Sequence, residues 1–292
     1  MHQFDGVAIA TALPAMALSM NADPLRLNLA ITTYLMTLAV FVPISGWMAG
    51  RFGAKRIYLI AIVVFVCSSC ACALSQSLWQ LVAARIVQGI GGAMMTPVGR
   101  VIVVKSAPRT DIVKAMTYIT IPAAMAPLFG PSVGGFVVTY FSWHWIFLIN
   151  IPIGLLGLLL VWWKIPDVER EPRTPLDAWG FTLVATGIAC LMLGFEVMGR
   201  GLVSAYVIMA LLAAGLICAT LYVRRSRRIE FPIIDLSLLR IGTFRASVLA
   251  GGLFYMGTTA FVFLLTFMLQ LGFGYSAFAA GATTLAGALG SL

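Results

Sequence analysis

The sequence predicts an all-α polytopic membrane protein, a helical bundle of about nine full spans with a partial tenth. Three observations predict it. Only 10% of the 292 residues are charged and 61% are hydrophobic, whereas a soluble domain is about a quarter charged. Apolar stretches of ~20 residues, the length a helix needs to cross a bilayer, follow one another between short polar breaks along nearly the whole chain. The cations concentrate in alternate breaks, as in a chain threaded back and forth through a membrane. A signal peptide ahead of a soluble enzyme is excluded, because the apolar stretches never stop. An outer-membrane barrel is excluded too, because its strands read as alternating segments of ~10 residues.

The spans follow in order. Phe4 to Leu18 opens almost at the first residue and carries the acid Asp5. Leu29 to Gly50 runs into a short basic turn, and Ile57 to Leu74 is uncharged. Leu78 to Val104 contains Arg85, Gln88 and a run of glycines, while Met116 to Tyr140 contains Pro122, Pro127 and Pro131. Trp145 to Trp163, Trp179 to Met198, Tyr206 to Val223 and Ser247 to Leu271 complete the nine, and a tenth begins near Ala277. The first span starts at once, and the uncharged run from Gly281 to Leu292 stops before it crosses a bilayer. Both ends therefore read as truncated.

Sixteen of the nineteen Lys and Arg residues fall in one set of alternate loops; Arg26 and Arg200 lie in the other set, and Arg85 inside a span. The positive-inside rule makes the rich loops and the amino end cytoplasmic, in a multi-pass protein of the cell inner membrane. The net charge of +9 thus reports topology. Nucleic acid is not an expected partner, since no basic stretch is interleaved with stacking aromatics. Two polar segments read as hinges or boundaries. Lys164 to Asp177 holds three prolines, and Arg224 to Arg245 precedes fresh long spans.

Four places in the chain can carry chemistry. Asp5 lies about 13 residues before the outer end of its span, ~20 Å deep by helical rise. An acid there reads as a protonatable carboxylate facing a bundle interior, or as a helix cap at the cytoplasmic interface. Arg85 falls about seven residues into the fourth span, with Gln88 one turn on along the same face. It reads as a cation paired with carbonyls, water or an acid, or as an Arg snorkelling to the outer interface. In the fifth span Gly130 and Gly134 share a face and the prolines each delete a backbone bond. That pattern reads as a kinked helix sliding on a neighbour, or as plain close packing. Gly46 to Arg56 forms a tight basic loop in which Gly46 and Gly53 suit a reversal and Arg51 and Lys55 complement a helix carboxyl end or anchor the loop.

Other signals lead elsewhere. Cys67, Cys70 and Cys72 sit in an uncharged span without a nearby acid or His and read as small buried hydrophobes. Cys190 and Cys218 are isolated, and His2 and His144 are the two histidines. Gly89, Gly91 and Gly92 follow no strand, so they form no dinucleotide loop. Neither a phosphate-binding Gly-Lys-Ser/Thr motif nor a Gly-x-Ser-x-Gly elbow is present. The chain is accordingly expected to be no enzyme and to need no cofactor or metal. Glu196 and Arg200 are spaced as a helix-face pair near an outer interface.

Taken together these motifs resemble the major facilitator superfamily, in particular its fourteen-span drug:proton antiporter branch. Phe4-Asp5-Gly6-Val7-Ala8-Ile9-Ala10-Thr11-Ala12-Leu13-Pro14 is similar to that branch's first-span motif, Gly46 to Arg56 to its loop motif, Arg85 to Gly92 to its fourth-span motif, and Ala126 to Gly135 to its fifth-span antiporter motif. Trp143 to Gly154 and Leu176 to Gly180 also look like this branch. The resemblance implies a major-facilitator-like bundle working by alternating access. It divides the chain into a first six-span bundle (1–163), a linker (164–178), two extra spans (179–223), a basic linker (224–245) and the start of a second bundle (246–292). It implies a proton-coupled antiporter that exports hydrophobic or cationic compounds. Asp5, Arg85 and Gln88 would serve proton coupling and substrate. Gly46, Arg51, Gly53 and Lys55 would gate the cytoplasmic side, and Gly130, Pro131, Gly134 and Gly135 would form the antiporter helix. Its partners would be protons, a small lipophilic or cationic substrate and the bilayer, with a periplasmic adaptor left open. Two positions depart from the family pattern: Gly50 stands where an acid is usual, and Ala54 where an Arg is common. A narrow-specificity metabolite exporter of the same fold and a non-transporting membrane sensor are the alternative readings.

Overall fold

The structure is a computed structural model that describes residues 2–20, 23–167, 174–198 and 203–275, together with 279 and 283. Its elements in chain order are α1 (His2–Met20), α2 (Pro24–Phe52), α3 (Ala54–Ala73), α4 (Leu78–Ser106), α5 (Ile112–Tyr140), α6 (His144–Leu148), α7 (Asn150–Lys164), α8 (Ala178–Val197), α9 (Ala205–Ser226) and α10 (Gly242–Phe267). A short 3₁₀ turn, Leu236–Arg240, precedes α10, and a π turn, Met268–Gly272, extends it. No strand occurs among the described residues. Each of the nine predicted spans coincides with helix, and six stretches among the described residues are long and apolar enough to cross a membrane: 26–52, 54–73, 78–106, 144–164, 178–197 and 205–226. Apart from 279 and 283 the predicted tenth span lies outside the described residues, as do Arg170, Arg173 and Arg200.

Local chemistry sets the breaks. Between α2 and α3 the chain reverses at Gly53 alone, whose φ of 95° is a left-handed conformation open to glycine. Ser77 caps α4 by accepting from Gln80 N at 3.4 Å, and the Gln80 side chain accepts from Gln76 N at 2.9 Å. The predicted sixth span is divided at Ile149 into α6 and α7. Pro152 has no N–H to offer the Leu148 carbonyl, so the ladder loses a bond there while the direction continues. The fifth span forms one helix, α5, through the positions of Pro122, Pro127 and Pro131. Each proline deletes its own donor, and the flanking bonds carry the turn.

The helices pack in two apolar clusters. One joins Ala8, Ile9, Ala12 and Met16 of α1 to Leu81 of α4 and to Ile146 and Phe147 of α6. The other joins Ile57, Ala61 and Phe65 of α3 to Met94 and Val98 of α4, with Val161 of α7. The α3–α4 contact is close enough that a Cβ on Gly91 would lie 2.9 Å from Phe65 N and 3.0 Å from Ala61 O, both backbone atoms. The glycine run of α4 is therefore a packing surface. α8 and α9 pair as a hairpin that leans on α2. Asn28 Nδ2 donates to Glu196 Oε1 at 3.1 Å at one end of that seam, and Trp47 Nε1 donates to Thr174 O at 3.1 Å at the other.

Candidate functional site: a buried ion pair among five helices

Asp5 sits on the first turns of α1 and is wholly buried. Its carboxylate Oδ2 forms an ion pair and hydrogen bond with Arg85 Nη1 from α4, whose side chain is equally buried. The interfacial-cap reading of Asp5 and the snorkelling reading of Arg85 are both overturned here, because each side chain has zero exposure. The physical reason is cost. A carboxylate and a guanidinium in a dry interior stay charged when each neutralises the other and their remaining polar atoms find partners.

Those partners come from several neighbouring helices. Asn150, at the start of α7, donates through Nδ2 to Asp5 Oδ1 at 3.1 Å. Arg85 Nη1 also donates to Gln88 Oε1 at 2.6 Å, the one-turn spacing that places both on one face of α4. Arg85 Nε donates to the Ala30 carbonyl of α2 at 3.4 Å. The guanidinium lies 4.0 Å from the centroid of the Tyr34 ring and 5.6 Å from that of Phe147, distances at which an aromatic face attracts a cation. Gln88 is fixed in turn: its Nε2 donates to Ser69 Oγ at 2.7 Å, and its Oε1 accepts from Cys72 Sγ at 3.6 Å. Two atoms of the network have no hydrogen-bond partner among the described residues, Arg85 Nη2 and Asn150 Oδ1.

Of the expected coupling residues, Asp5, Arg85 and Gln88 thus meet in one network. Of the other two expected groups, the basic loop lies apart from it. Ala30 and Arg51 are 21 residues apart on α2, ~30 Å by helical rise, so the basic loop sits toward the opposite end of the bundle. There Gly46 is exposed with open space beside it, and Arg51 and Lys55 are half-buried. Arg51 forms no ion pair among the described residues, in keeping with Gly50 standing where an acid is usual. On α5, Gly130, Gly134 and Gly135 are buried and the helix packs on α1; the side chain of Pro131 is outside what is described.

Sequence reasoning missed Asn150, Tyr34, Ser69 and Cys72. Cys72 is buried, as expected, but it donates to Gln88 and is part of the polar network. Asn150 is the residue a signal could have found: an amide inside an apolar run, two residues before a proline. A second polar cluster was also unforeseen. Asp177 Oδ1 accepts from Gly180 N at 2.8 Å, capping α8, and is bound by Arg225 Nε and Nη2 of α9 at 2.9 and 2.8 Å. Glu196 accepts from Asn28, and its helix-face neighbour Arg200 lies outside the described residues.

Comparison with known proteins gives a consistent picture. The family model described as Major Facilitator Superfamily matches residues 1–292. Putative multidrug resistance protein MdtD of Pectobacterium atrosepticum is 41% identical over 292 residues, covering 100% of this chain and 62% of the relative. The MdtD protein of Salmonella dublin is 40% identical with the same coverage. The chain therefore spans 62% of the length of these curated relatives. Among solved structures, the POT family transporter PepTSo superposes with a TM-score of 0.61 at 15% identity, over 97% of this chain and 64% of that one. A bacterial homologue of the lysosomal transporter Spinster gives 0.50 at 18% identity, over 97% and 69%. At these identities the two structures speak to the fold alone.

Proposed function

This chain belongs to the Major Facilitator Superfamily, and we propose that it serves secondary active transport: proton-coupled antiport that exports hydrophobic or cationic compounds across the inner membrane. The observation that carries this reading is the wholly buried Asp5–Arg85 pair held by α1, α4 and α7. A carboxylate is the member of the pair able to take a proton, since guanidinium keeps its own. Protonating Asp5 leaves the Arg85 charge unbalanced in the buried interior, and the bonds that join α1 to α4 and α7 through Asp5 must then change to relieve it. A proton is in this way converted into a choice between two arrangements of one bundle. The inward movement of one charge across 100 mV is worth ~2.3 kcal/mol, which supports uphill export without a nucleotide site. The multidrug names of the relatives support a broad substrate class, and the exposed Met, Phe and Trp side chains of the spans suit greasy compounds.

Dye efflux from membrane vesicles carrying the protein, under an imposed and then collapsed pH gradient, tests the proposal. Efflux that rises with the gradient and stops at its collapse is expected. Dye movement indifferent to the gradient overturns proton coupling. If no dye moves while one metabolite does, the narrow-specificity exporter replaces the multidrug reading.

A further inference from the structure

We propose that Asn150 is a positioning residue for the Asp5 proton, its side-chain amide presenting a donor to the carboxylate and an acceptor to the protonated acid. The proposal rests on the reading of Asp5 as a proton site. Asn150 is 1% exposed. Its Nδ2 donates to Asp5 Oδ1 at 3.1 Å, while its Oδ1 has no hydrogen-bond partner among the described residues. A buried amide oxygen without a donor costs about 1–3 kcal/mol, so its persistence beside a titratable group is informative. An ionised carboxylate only accepts, and the amide meets it with N–H. A protonated carboxyl offers an O–H, which needs an acceptor. Turning the amide about its last side-chain bond exchanges Nδ2 and Oδ1, and because Oδ1 holds no other bond, the exchange breaks nothing beyond the bond it replaces. A Leu of similar size at this place would serve neither state.

The position on the helix favours such a role. Asn150 opens α7 directly after the break at Ile149, beside the Leu148 carbonyl that Pro152 cannot pair. The other charged or titratable groups around Asp5 are Arg85 from α4, Tyr34 from α2 and Cys72 from α3. The helices α5 and α6, which also pack on α1, bring none to it. Asp111, Lys114, Tyr118 and Tyr140 of α5 are exposed, and His144 of α6 is bonded to Ser142 at 2.6 Å. Lys164, the remaining titratable group of α7, stands at that helix's far end. Arg85 is committed to its charge in both states, so Asn150 is the neighbour on α7 that can answer a change in Asp5.

Infrared difference spectroscopy of the protein in lipid vesicles, titrated with pH, tests this without requiring transport. In the unaltered protein a carboxylic-acid carbonyl band, assigned to Asp5 by its loss in Asp5→Asn, is expected to appear together with a shift of a side-chain amide band. In Asn150→Leu the amide signal disappears and the carboxyl midpoint moves up by about one pH unit, because the bond lost to the carboxylate is stronger than the one lost to the neutral acid by about that amount. In Asn150→Ser, whose hydroxyl both donates and accepts, the midpoint moves less. Helix content and thermal unfolding in each variant establish that the bundle is intact. An unchanged Asp5 titration in folded Asn150→Leu overturns the role of Asn150 alone. If no carboxyl band titrates in the unaltered protein, the assignment of Asp5 falls, and the role of Asn150 falls with it.

Discussion

Arg85 and Asp5 are 80 residues apart in sequence, and each offsets the cost of burying the other. Removing one partner from a buried pair leaves an uncompensated charge, a loss of about 3–5 kcal/mol, whereas replacing both with apolar groups of similar volume is close to neutral. Arg85→Ala is therefore expected to lower the unfolding free energy by about that amount in denaturant titrations. Asp5→Leu combined with Arg85→Met should recover most of it. A double variant no more stable than Arg85→Ala would mean that the pair contributes little as a pair. At this scale the sequence was half legible. The cost of burying a charge marks Asp5 and Arg85 singly, because either residue in an apolar run demands an explanation. Their meeting, and the choice of Asn150 and Ser69 as neighbours, depends on how α1, α4, α7 and α3 lie in space, which no local pattern encodes. Cys72 was hidden for another reason: a thiol in an apolar helix looks like a small hydrophobe until its partner is known.

Among the elements, α3 and α4 show why a motif can be read correctly and its purpose missed. Gly89, Gly91 and Gly92 stand out in sequence, and the lack of a preceding strand rules out a phosphate loop. Geometry supplies the purpose, which is the approach of Gly91 to the α3 backbone at Phe65 and Ala61. Gly91→Ala forces those backbone atoms apart and is expected to cost about 1–3 kcal/mol, as overpacking does, with a fall in thermal unfolding temperature as the readout. An unshifted transition would show that the two helices separate freely at that point. The same motif carries Gln88, whose bonds to Ser69 and Cys72 tie α3 to the ion pair, so loosening this contact also loosens the site. Helix positions were legible throughout because length and hydropathy determine them. The division of the sixth span at Ile149 was not legible, since a proline's effect depends on what surrounds the freed carbonyl.

For the molecule as a whole, the α8–α9 hairpin and the segment that leads into it are fastened to α2 at both of its ends, through Asn28 to Glu196 and Trp47 to Thr174. Asp177 closes the hairpin by capping α8 and binding Arg225. The side chain of Arg225 is 35% exposed, so the ion pair adds little and the cap dominates. Asp177→Ala is expected to lower stability by about 1 kcal/mol, while Arg225→Gln should be nearly silent in thermal unfolding. Equal losses in the two variants would reverse that assignment. The order and spacing of motifs made the family legible, but where the α8–α9 hairpin docks was not, because the Phe41–Phe181 contact and the single hydrogen bonds that join it to α2 leave no local pattern.

On this reading Asp5 exchanges its proton when substrate is handled. The most direct test is to add a transported dye to the purified protein in weakly buffered detergent solution and follow proton release with a soluble pH indicator. Release is expected from the unaltered protein and none from Asp5→Asn, with dye binding retained in both. Equal proton release from Asp5→Asn, with the bundle folded, would contradict it.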